Sequence, residues 1–399
     1  MRITPAVELE HRCNRLQQAM NEASLDAVLI MQSADLYYFT GTIQSGCLYV
    51  PASGQPVYMV RRDFMRARME SGLREVVPCS GMSVIPGILA DYGYPSHGKI
   101  GMELDVVPAN LLERYRKVFP QALFSDASTL IRRVRMIKSQ YEIHLMQDAA
   151  VQVDKVFRAA AGLLREGMTD LQFAAELERV ARLEGNPGIM RMRAFNGEMC
   201  FGHVFSGTDS AVPAFVDSPW GGMGVSPAFG QGAGLKPIQR NEPVLVDFSG
   251  SCDGYLVDQT RVFSLGPLPD EILKGYEDMR SIQALMVQTA SDLPKWGELY
   301  DSCLAMAESL GYRDNFMGIK GSQVSFIGHG IGVEIDEYPF IAKGFHGDRL
   351  EPGMAFAFEP KLVFPGLGGV GIENSFYISD SGELKQLTFS EENPVILQC

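Results

Sequence analysis

The stretch VLVDFSGSCDGYLVDQTRVF, residues 244–263, decides the fold of the second half of this chain. Its two apolar runs are separated by Asp253-Gly254, and an Asp-Gly pair between such runs predicts an antiparallel hairpin. Each predicted strand carries one aspartate, Asp247 or Asp258, among mostly apolar neighbours. Neither strand therefore has a clear polar face, and we expect both carboxylates to point to one side of a buried sheet.

Two glutamates, Glu359 and Glu373, repeat this arrangement near the end of the chain, with FPGLGG as the turn between them. His329 lies between the two hairpins in FIGHGIG, where small neighbours let the backbone approach a ligand closely. Burying an ionised carboxylate is costly unless it is paired or bound to a metal. One acidic residue in a strand is usually an edge or turn residue, but four with one histidine predict a pair of divalent ions that share bridging oxygens. The predicted chemistry is metal-assisted hydrolysis.

The composition is that of an ordinary globular protein. The chain has 399 residues, of which 46% are hydrophobic and 21% charged, and its formal net charge is −13. Nucleic acid is not expected as a partner, because phosphate backbones are bound by lysine and arginine. The first residues contain no apolar export signal, and no apolar run reaches the ~20 residues of a membrane-spanning helix. We expect a soluble, cytoplasmic protein with no membrane partner.

The cysteines are scattered, odd in number and never spaced as Cys-x-x-Cys. This pattern is typical of reduced thiols in a cytosolic protein rather than of a disulfide framework or a zinc-thiolate site. The seven residues are Cys13, Cys47, Cys79, Cys200, Cys252, Cys303 and Cys399.

Alternating helical and strand-like segments predict a mixed α+β protein of two domains. Residues 1–137 predict an α/β domain, in which DAVLIM and LYYFTG are expected strands. Residues 138–399 begin with a long helical pattern, opened by Ser139 with Glu142 three residues later, which is a capping box. This second domain is expected to hold an antiparallel sheet covered by helices. Its Gly- and Pro-rich loop, residues 217–239, is expected to border a pocket.

One glycine-rich motif is rejected on its context. GLGGVG, residues 366–371, has the spacing of a dinucleotide-binding fingerprint, but that motif ends a strand and opens a helix, whereas the strand-like IENSFYI follows here. The chain also has no Walker motif, no Gly-x-Ser-x-Gly elbow and no His-Glu-x-x-His helix. Nucleotide, serine-hydrolase and single-zinc chemistry of these kinds are therefore not expected.

The acidic segments resemble those of a known family. VLVDFSGSCDGYLVDQTRVF, GHGIGVEIDEYP, LEPGMAFAFEPKLV and GGVGIENSFYI are similar to the four metal-site segments of the pita-bread metallohydrolases, which include methionine aminopeptidase, Xaa-Pro aminopeptidase, prolidase and creatinase. DAVLIMQSADLYYFTG and RMIKSQYEIHLMQDAA resemble the creatinase-type N-terminal domain and the linker that follows it. The resemblance implies a creatinase-like domain over residues 1–137 and a pita-bread catalytic domain over residues 138–399.

The same resemblance implies roles for the acidic set. It implies two divalent ions (Mn, Co, Fe or Zn), a hydroxide between them, a homodimer, and an Xaa-Pro aminopeptidase or dipeptidase. Asp247 matches a ligand that chelates one ion, and Asp258 and Glu373 match the bridging carboxylates. Glu359 matches a ligand that also acts as general base. Thr260 resembles a hydroxyl that orients the second aspartate. The implied metal ligands are Asp247, Asp258, His329, Glu359 and Glu373.

Three departures from the family pattern concern the substrate pocket. No histidine follows Ser206-Gly207, Asp336 stands where a second histidine is common, and Gly371 stands where several members have arginine. Asp336, His203 and His346 are candidates for lining the pocket, although a histidine in such a context is more often structural. A hydrolase or lyase of a small non-peptide metabolite therefore remains an alternative. A non-enzymatic binding module is a third, which the full ligand set opposes.

Overall fold

The computed structural model of the chain describes residues 2–398, and these fall into two compact units. The first contains residues 2–135 and 193–197, and the second contains residues 136–192 and 198–398. The boundary between residues 135 and 136 lies two residues before the predicted one. The thiol predicted at Cys399 lies outside the described residues.

The first unit is an α/β domain built on a mixed sheet. Its strands are β1 (Ala27–Ile30), β2 (Gly46–Pro51), β3 (Val57–Val60), β4 (Val76–Pro78), β5 (His97–Met102) and β6 (Gln121–Asp126). Its helices are α1 (Ala6–Glu22), α2 (Ser33–Thr40), α3 (Phe64–Glu70), α4 (Ile85–Asp91), α5 (Ala109–Val118) and α6 (Ser128–Met136). Within the described residues the strand order is β4-β3-β2-β1-β5-β6, with β1 antiparallel to β2 and parallel to β5.

The predicted strand LYYFTG is wrong, because these residues belong to helix α2. The Gln32 side chain accepts a hydrogen bond from the Asp35 amide at the start of the helix, and Gly41 ends it at a φ of +77°. This pair of end signals supports a short helix even though aromatic residues favour strands. Tyr38 and Phe39 are buried in the core of the unit.

Residues 193–197 belong to the first unit although they follow α8 in the sequence, which the predicted domain limits did not foresee. Arg193 explains this assignment, because its guanidinium lies 2.7 Å from Asp35 and 2.6 Å from Asp105. Arg135 also pairs with Asp35, at 2.6 Å. These ion pairs join residues that are distant in sequence, so local patterns could not reveal them.

The second unit combines long helices with antiparallel sheets. Its helices are α7 (Gln140–Leu163), α8 (Asp170–Leu183), α9 (Asp270–Ala290) and α10 (Trp296–Ser309). Its strands are β7 (Gly202–Ser206), β8 (Val244–Cys252), β9 (Tyr255–Leu265), β10 (Phe326–Gly330), β11 (Glu337–Ala342), β12 (Ala355–Phe358), β13 (Lys361–Phe364), β14 (Gly368–Gly371), β15 (Asn374–Ile378), β16 (Leu384–Gln386) and β17 (Val395–Leu397).

The described strands of this unit form two larger sheets and one separate hairpin. One sheet has the order β11-β10-β12-β15-β16 and is antiparallel throughout. The other has the order β17-β9-β8-β7, in which β17 is parallel to β9 and the other pairs are antiparallel. Strands β13 and β14 form the hairpin, and α7 packs on β8 and β9. The predicted fold class is confirmed.

The hairpin predicted from Asp253-Gly254 joins β8 to β9. Asp253 has a φ of +45° and Gly254 a φ of +84°, as a tight two-residue hairpin turn requires. Every residue of β9 is buried, because α7 covers one face and strands β12, β14 and β15 contact the other. The acidic residues of this hairpin are therefore held inside the unit and not on its surface.

The helices and the cysteines of the described residues bear on two further predictions, those of membrane spans and of reduced thiols. No helix among the described residues is both long and apolar enough to cross a bilayer. No disulfide joins the described cysteines, and burial raises the pKa of Cys13, Cys47 and Cys303 to about 12. These three thiols are inert near neutral pH, because the thiolate is the reactive form.

The capping box predicted at Ser139 is present at the start of α7. The Ser139 hydroxyl accepts from the Glu142 amide at 3.2 Å, and the Glu142 carboxylate accepts from the Ser139 amide at 2.9 Å. We expect Ser139→Ala to lower the free energy of unfolding by about 1 kcal/mol, because one amide at the helix start loses its acceptor. Ser139→Thr keeps that acceptor and is the matched control in chemical denaturation. Equal unfolding midpoints for the two variants would contradict this account.

Candidate metal centre

The five predicted ligands come from five places in the second unit. Asp247 lies on β8, Asp258 on β9 and His329 on β10, while Glu359 follows β12 and Glu373 lies between β14 and β15. The strand register explains why the last two meet, because Phe358 at the end of β12 is paired with Asn374 at the start of β15.

Three of these residues form a compact group of possible ligands. Asp258, His329 and Glu373 each offer one ligand atom, and these atoms lie within 4.8 Å of one another. The three side chains belong to residues that are 8%, 5% and 1% exposed, respectively. Glu359, a fourth predicted ligand, lies next to this group, with its Oε1 3.6 Å from His329 Nε2. One imidazole nitrogen and several carboxylate oxygens suit a divalent transition metal.

Lys361, which was not predicted as a site residue, lies among the carboxylates of the acidic set. Its Nζ lies close to three carboxylate oxygens: Glu359 Oε2 at 2.7 Å, Glu373 Oε2 at 3.0 Å and Asp247 Oδ2 at 3.2 Å. Its side chain is 2% exposed. An ammonium group has three N–H donors, and these three carboxylates account for all of them.

The charges in the group shift one another's protonation. Burial alone lowers the pKa of Lys361, but the three surrounding carboxylates outweigh burial and hold that pKa well above its ordinary value. Burial raises the pKa of Glu359 to about 7, although the Lys361 ammonium opposes the rise. Burial, and then the neighbouring carboxylates of Glu373 and Asp247, raise the pKa of Asp258 well above its usual range. If all four carboxylates were ionised, they would carry more negative charge than one ammonium can balance, which favours a further cation.

His329 is oriented with one ring nitrogen toward the carboxylates. Its Nδ1 lies 3.2 Å from the Gly330 carbonyl oxygen and 3.6 Å from Asp336 Oδ1, which leaves Nε2 facing Glu359. Burial lowers the pKa of His329, but the carboxylates of Asp336 and Glu359 raise it above its ordinary value overall. A backbone carbonyl on one ring nitrogen commonly fixes the tautomer of a histidine that binds metal through the other.

Glu373 is held by two neighbouring residues of β9. The Thr260 hydroxyl donates to Glu373 Oε2 at 2.8 Å, whereas the sequence-based expectation had it orient Asp258. The reason is the backbone bridge between Thr260 and Glu373, which sets the hydroxyl opposite the glutamate. The buried Arg261 guanidinium donates to the Glu373 carbonyl oxygen at 2.8 Å and to Asn374 Oδ1 at 2.7 Å. Sequence reasoning did not single out Arg261.

Gly371 gives Lys361 its space. The two residues are opposite each other in the β13–β14 hairpin. A Cβ on Gly371 would lie 2.8 Å from both Cα and Cγ of Lys361 and 2.5 Å from the Pro360 carbonyl oxygen. The lysine Nζ also lies 4.7 Å from the centre of the Trp220 ring, which fits a cation–π contact. Any side chain at position 371, an arginine included, would therefore meet the backbone of Pro360 and Lys361 as well as the lysine side chain.

The acidic group lines a cavity of about 70 Å³. The loop predicted to border a pocket supplies part of the wall, including Trp220 and Asp217, and Asp336 and His203 line it too. Burial and the charge of Lys361 lower the pKa of His203 to about 4, so this ring is neutral. His346 does not line the cavity; its side chain is 47% exposed and lies 3.7 Å from Asp301.

The residues present fit one divalent ion more readily than two. Asp258, His329 and Glu373 can bind an ion together, whereas Asp247 is already paired with Lys361. The sequence did contain a signal for the lysine. Lys361 is two residues beyond Glu359 in FAFEPKLVF, and side chains two apart share one face of an extended chain.

Comparison with known families agrees with this geometry. A family model described as metallopeptidase family M24 matches residues 144–380. A second model, described as the creatinase/prolidase N-terminal domain, matches residues 12–137. Together the matches cover both units and confirm the resemblance inferred from the acidic segments.

Individual relatives match nearly the whole chain. An Xaa-Pro dipeptidase of Pyrococcus furiosus is 27% identical over 385 residues, which cover 96% of this chain and 99% of the relative. A solved Xaa-Pro dipeptidase from Bacillus anthracis has a TM-score of 0.81 at 24% identity, covering 98% of this chain and 100% of that one. A solved X-Pro aminopeptidase from Thermotoga maritima has a TM-score of 0.79 at 23% identity, covering 96% and 99%. The two structures show that the fold is shared.

We expect Thr260→Val to weaken divalent metal binding by about 10–100-fold, because Glu373 loses the hydroxyl that fixes its orientation. Equilibrium dialysis against manganese measures the change. Thr260→Ser retains the hydroxyl and is the matched control. Wild-type affinity in the valine variant would show that this hydrogen bond does not position a metal ligand.

Proposed function

The chain belongs to metallopeptidase family M24, and from that premise we propose that it hydrolyses an amide bond with the help of a divalent metal. The substrates proposed first are peptides with proline in the second position. The single observation that carries the proposal is the convergence of Asp258, His329 and Glu373 within 4.8 Å.

The residues proposed to hold the metal are Asp258, His329, Glu373 and Glu359. A divalent ion bound there would polarise the substrate carbonyl and lower the pKa of water. Manganese, cobalt, iron and zinc all suit such a donor set. A cytoplasmic location and a homodimer remain predictions, and light scattering of the purified protein tests the second.

Glu359 is proposed to move the proton. Burial raises its pKa to about 7 in the metal-free protein, and a bound divalent ion would lower that pKa. Glu359 would then be ionised near neutral pH, so that it could accept a proton from water and return it to the leaving amine. Its Oε2 is held 2.7 Å from Lys361, so its carboxylate is fixed in one orientation facing the cavity. Positioning of this kind lowers the entropic cost of reaching the transition state.

The charges around the cavity favour substrates without a carboxylate near the scissile bond. Among the described residues that line the cavity, Lys361 is the one lysine or arginine, and its three donors are already used. Asp217 and Asp336 add negative charge to the wall. The carboxylate of an Xaa-Pro dipeptide would therefore lack a cationic partner, which supports cleavage of longer or amidated peptides over dipeptides.

A second candidate function follows from the same observation. A small amide or amine metabolite that is neutral or positively charged would also suit an acidic wall with aromatic side chains such as Phe205 and Trp220. Creatinase-like hydrolysis of a non-peptide substrate is therefore retained as the alternative. A non-enzymatic binding role is disfavoured, because binding alone gives no reason to assemble a buried ligand set.

We expect Asp258→Asn to abolish hydrolysis, because the carboxylate proposed to bind the ion becomes a neutral amide. Asp253→Asn is the matched control, since it makes the same chemical change in the turn of the same hairpin. Mass spectrometry of the released amino-terminal residue measures the activity of both variants. Thermal melts show whether both variants are folded. Full activity in the Asp258 variant would rule out the proposed centre.

A substrate panel tests the specificity. It compares Ala-Pro, Ala-Pro amide, a longer Ala-Pro peptide and an N-methyl amidino metabolite. We expect kcat/KM for Ala-Pro amide to exceed that for Ala-Pro by about tenfold, equivalent to ~1.4 kcal/mol, because the free carboxylate meets an acidic wall. Cleavage of the metabolite alone would favour the second candidate, and a preference for Ala-Pro would contradict the charge argument.

A further inference from the structure

We propose that the ammonium group of Lys361 permanently takes the place of one of the two divalent ions, so that this chain holds a single ion. That ion would lie among Asp258, His329, Glu373 and Glu359. The inference rests on the proposed function only in assuming that the centre binds metal. It does not depend on which amide the protein cleaves.

The Lys361 ammonium lies in the space that a second divalent ion would need. Lys361 Nζ lies between 2.7 and 3.2 Å from oxygens of Glu359, Glu373 and Asp247. A divalent ion bound by the same oxygens would lie ~2.0–2.6 Å from them. The ion and the ammonium would therefore compete for one space. They would also repel each other strongly, because buried charges are poorly screened.

Asp247 already has a cationic partner in Lys361. By resemblance, this aspartate chelates one ion of a pair and takes no part in holding the other. Here its Oδ2 accepts a hydrogen bond from Lys361 at 3.2 Å. The half of the centre that depends on Asp247 therefore has its positive charge supplied by the protein itself.

The oxygens that would hold the single ion are still available on Glu373 and Glu359. The bonds from Lys361 and from the Thr260 hydroxyl both go to Glu373 Oε2, which leaves Oε1 for an ion. Glu359 is divided in the same way, with Oε2 on Lys361 and Oε1 near His329. Each glutamate can thus contact the ammonium with one oxygen and a metal with the other.

The residues around Lys361 hold its side chain in a buried position. Its side chain is 2% exposed and its Nζ lies over the Trp220 ring. Across the hairpin, Gly371 has no side chain to press on the lysine, since a Cβ there would lie 2.8 Å from Lys361 Cγ. Leaving the centre would require this buried cation to give up three carboxylate partners at once.

The experiment counts metal ions. Wild-type protein and Lys361→Gly are dialysed to equilibrium against manganese chloride, and bound manganese per chain is measured by plasma mass spectrometry. We expect one ion in the wild type and two in Lys361→Gly, because the variant frees Asp247 and its share of the space. Lys343→Gly removes an exposed lysine and serves as the control, with one ion expected.

The outcomes separate this inference from the proposed function. Two ions in the wild type would overturn the inference and leave the metal-dependent function standing. No ion in the wild type would overturn both. One ion in a folded Lys361→Gly variant would show that the lysine does not limit the count, which also overturns the inference. If that variant fails to fold, anomalous diffraction from wild-type crystals grown with manganese decides between one ion and two.

Discussion

Four carboxylates share one buried volume in the second unit, and each raises the energy of the others unless positive charge lies between them. The strands that carry Asp247 and Asp258 are buried along nearly their whole length, so water cannot supply the compensation. Lys361 supplies part of it from within the chain. Burial, and then the carboxylates of Glu373 and Asp247, raise the pKa of Asp258 despite the ammonium. Four ionised carboxylates exceed the charge of one ammonium, which is the physical reason to expect a metal.

The fold serves this charge arrangement through one turn and one strand register. The Asp253-Gly254 turn aligns β8 with β9, and the pairing of β12 with β15 brings the two glutamates together. Arg261 then fixes the backbone of Glu373 by donating to its carbonyl oxygen. The long helix α7 closes the other face of β8 and β9. Asp247, Asp258 and His329 therefore lie on regular strands, and Glu359 and Glu373 lie directly beside strand ends. Regular strands hold side chains more precisely than loops do.

Much of this could be predicted from local signals in the sequence. The Asp-Gly hairpin, the capping box at Ser139 and the four acidic segments each depend on a few neighbouring residues. The strand predicted at LYYFTG was wrong, because its end signals at Gln32 and Gly41 outweighed the strand preference of its aromatic residues. Lys361 was missed for a different reason. A lysine in an apolar strand is usually an edge residue, and its partner Asp247 lies 114 positions away in the sequence.

The crowding around Gly371 also constrains how such a site can change by mutation. A side chain at position 371 would bring its Cβ to 2.5 Å from the Pro360 carbonyl oxygen and 2.8 Å from Lys361 Cα. Both are main-chain atoms, so they stay in place whatever residue stands at position 361. An arginine at position 371 therefore requires the β13–β14 hairpin to shift, and replacing the lysine alone does not make room for it. Exchange of one cation for the other is a change of main-chain path, which places it beyond the reach of a single substitution.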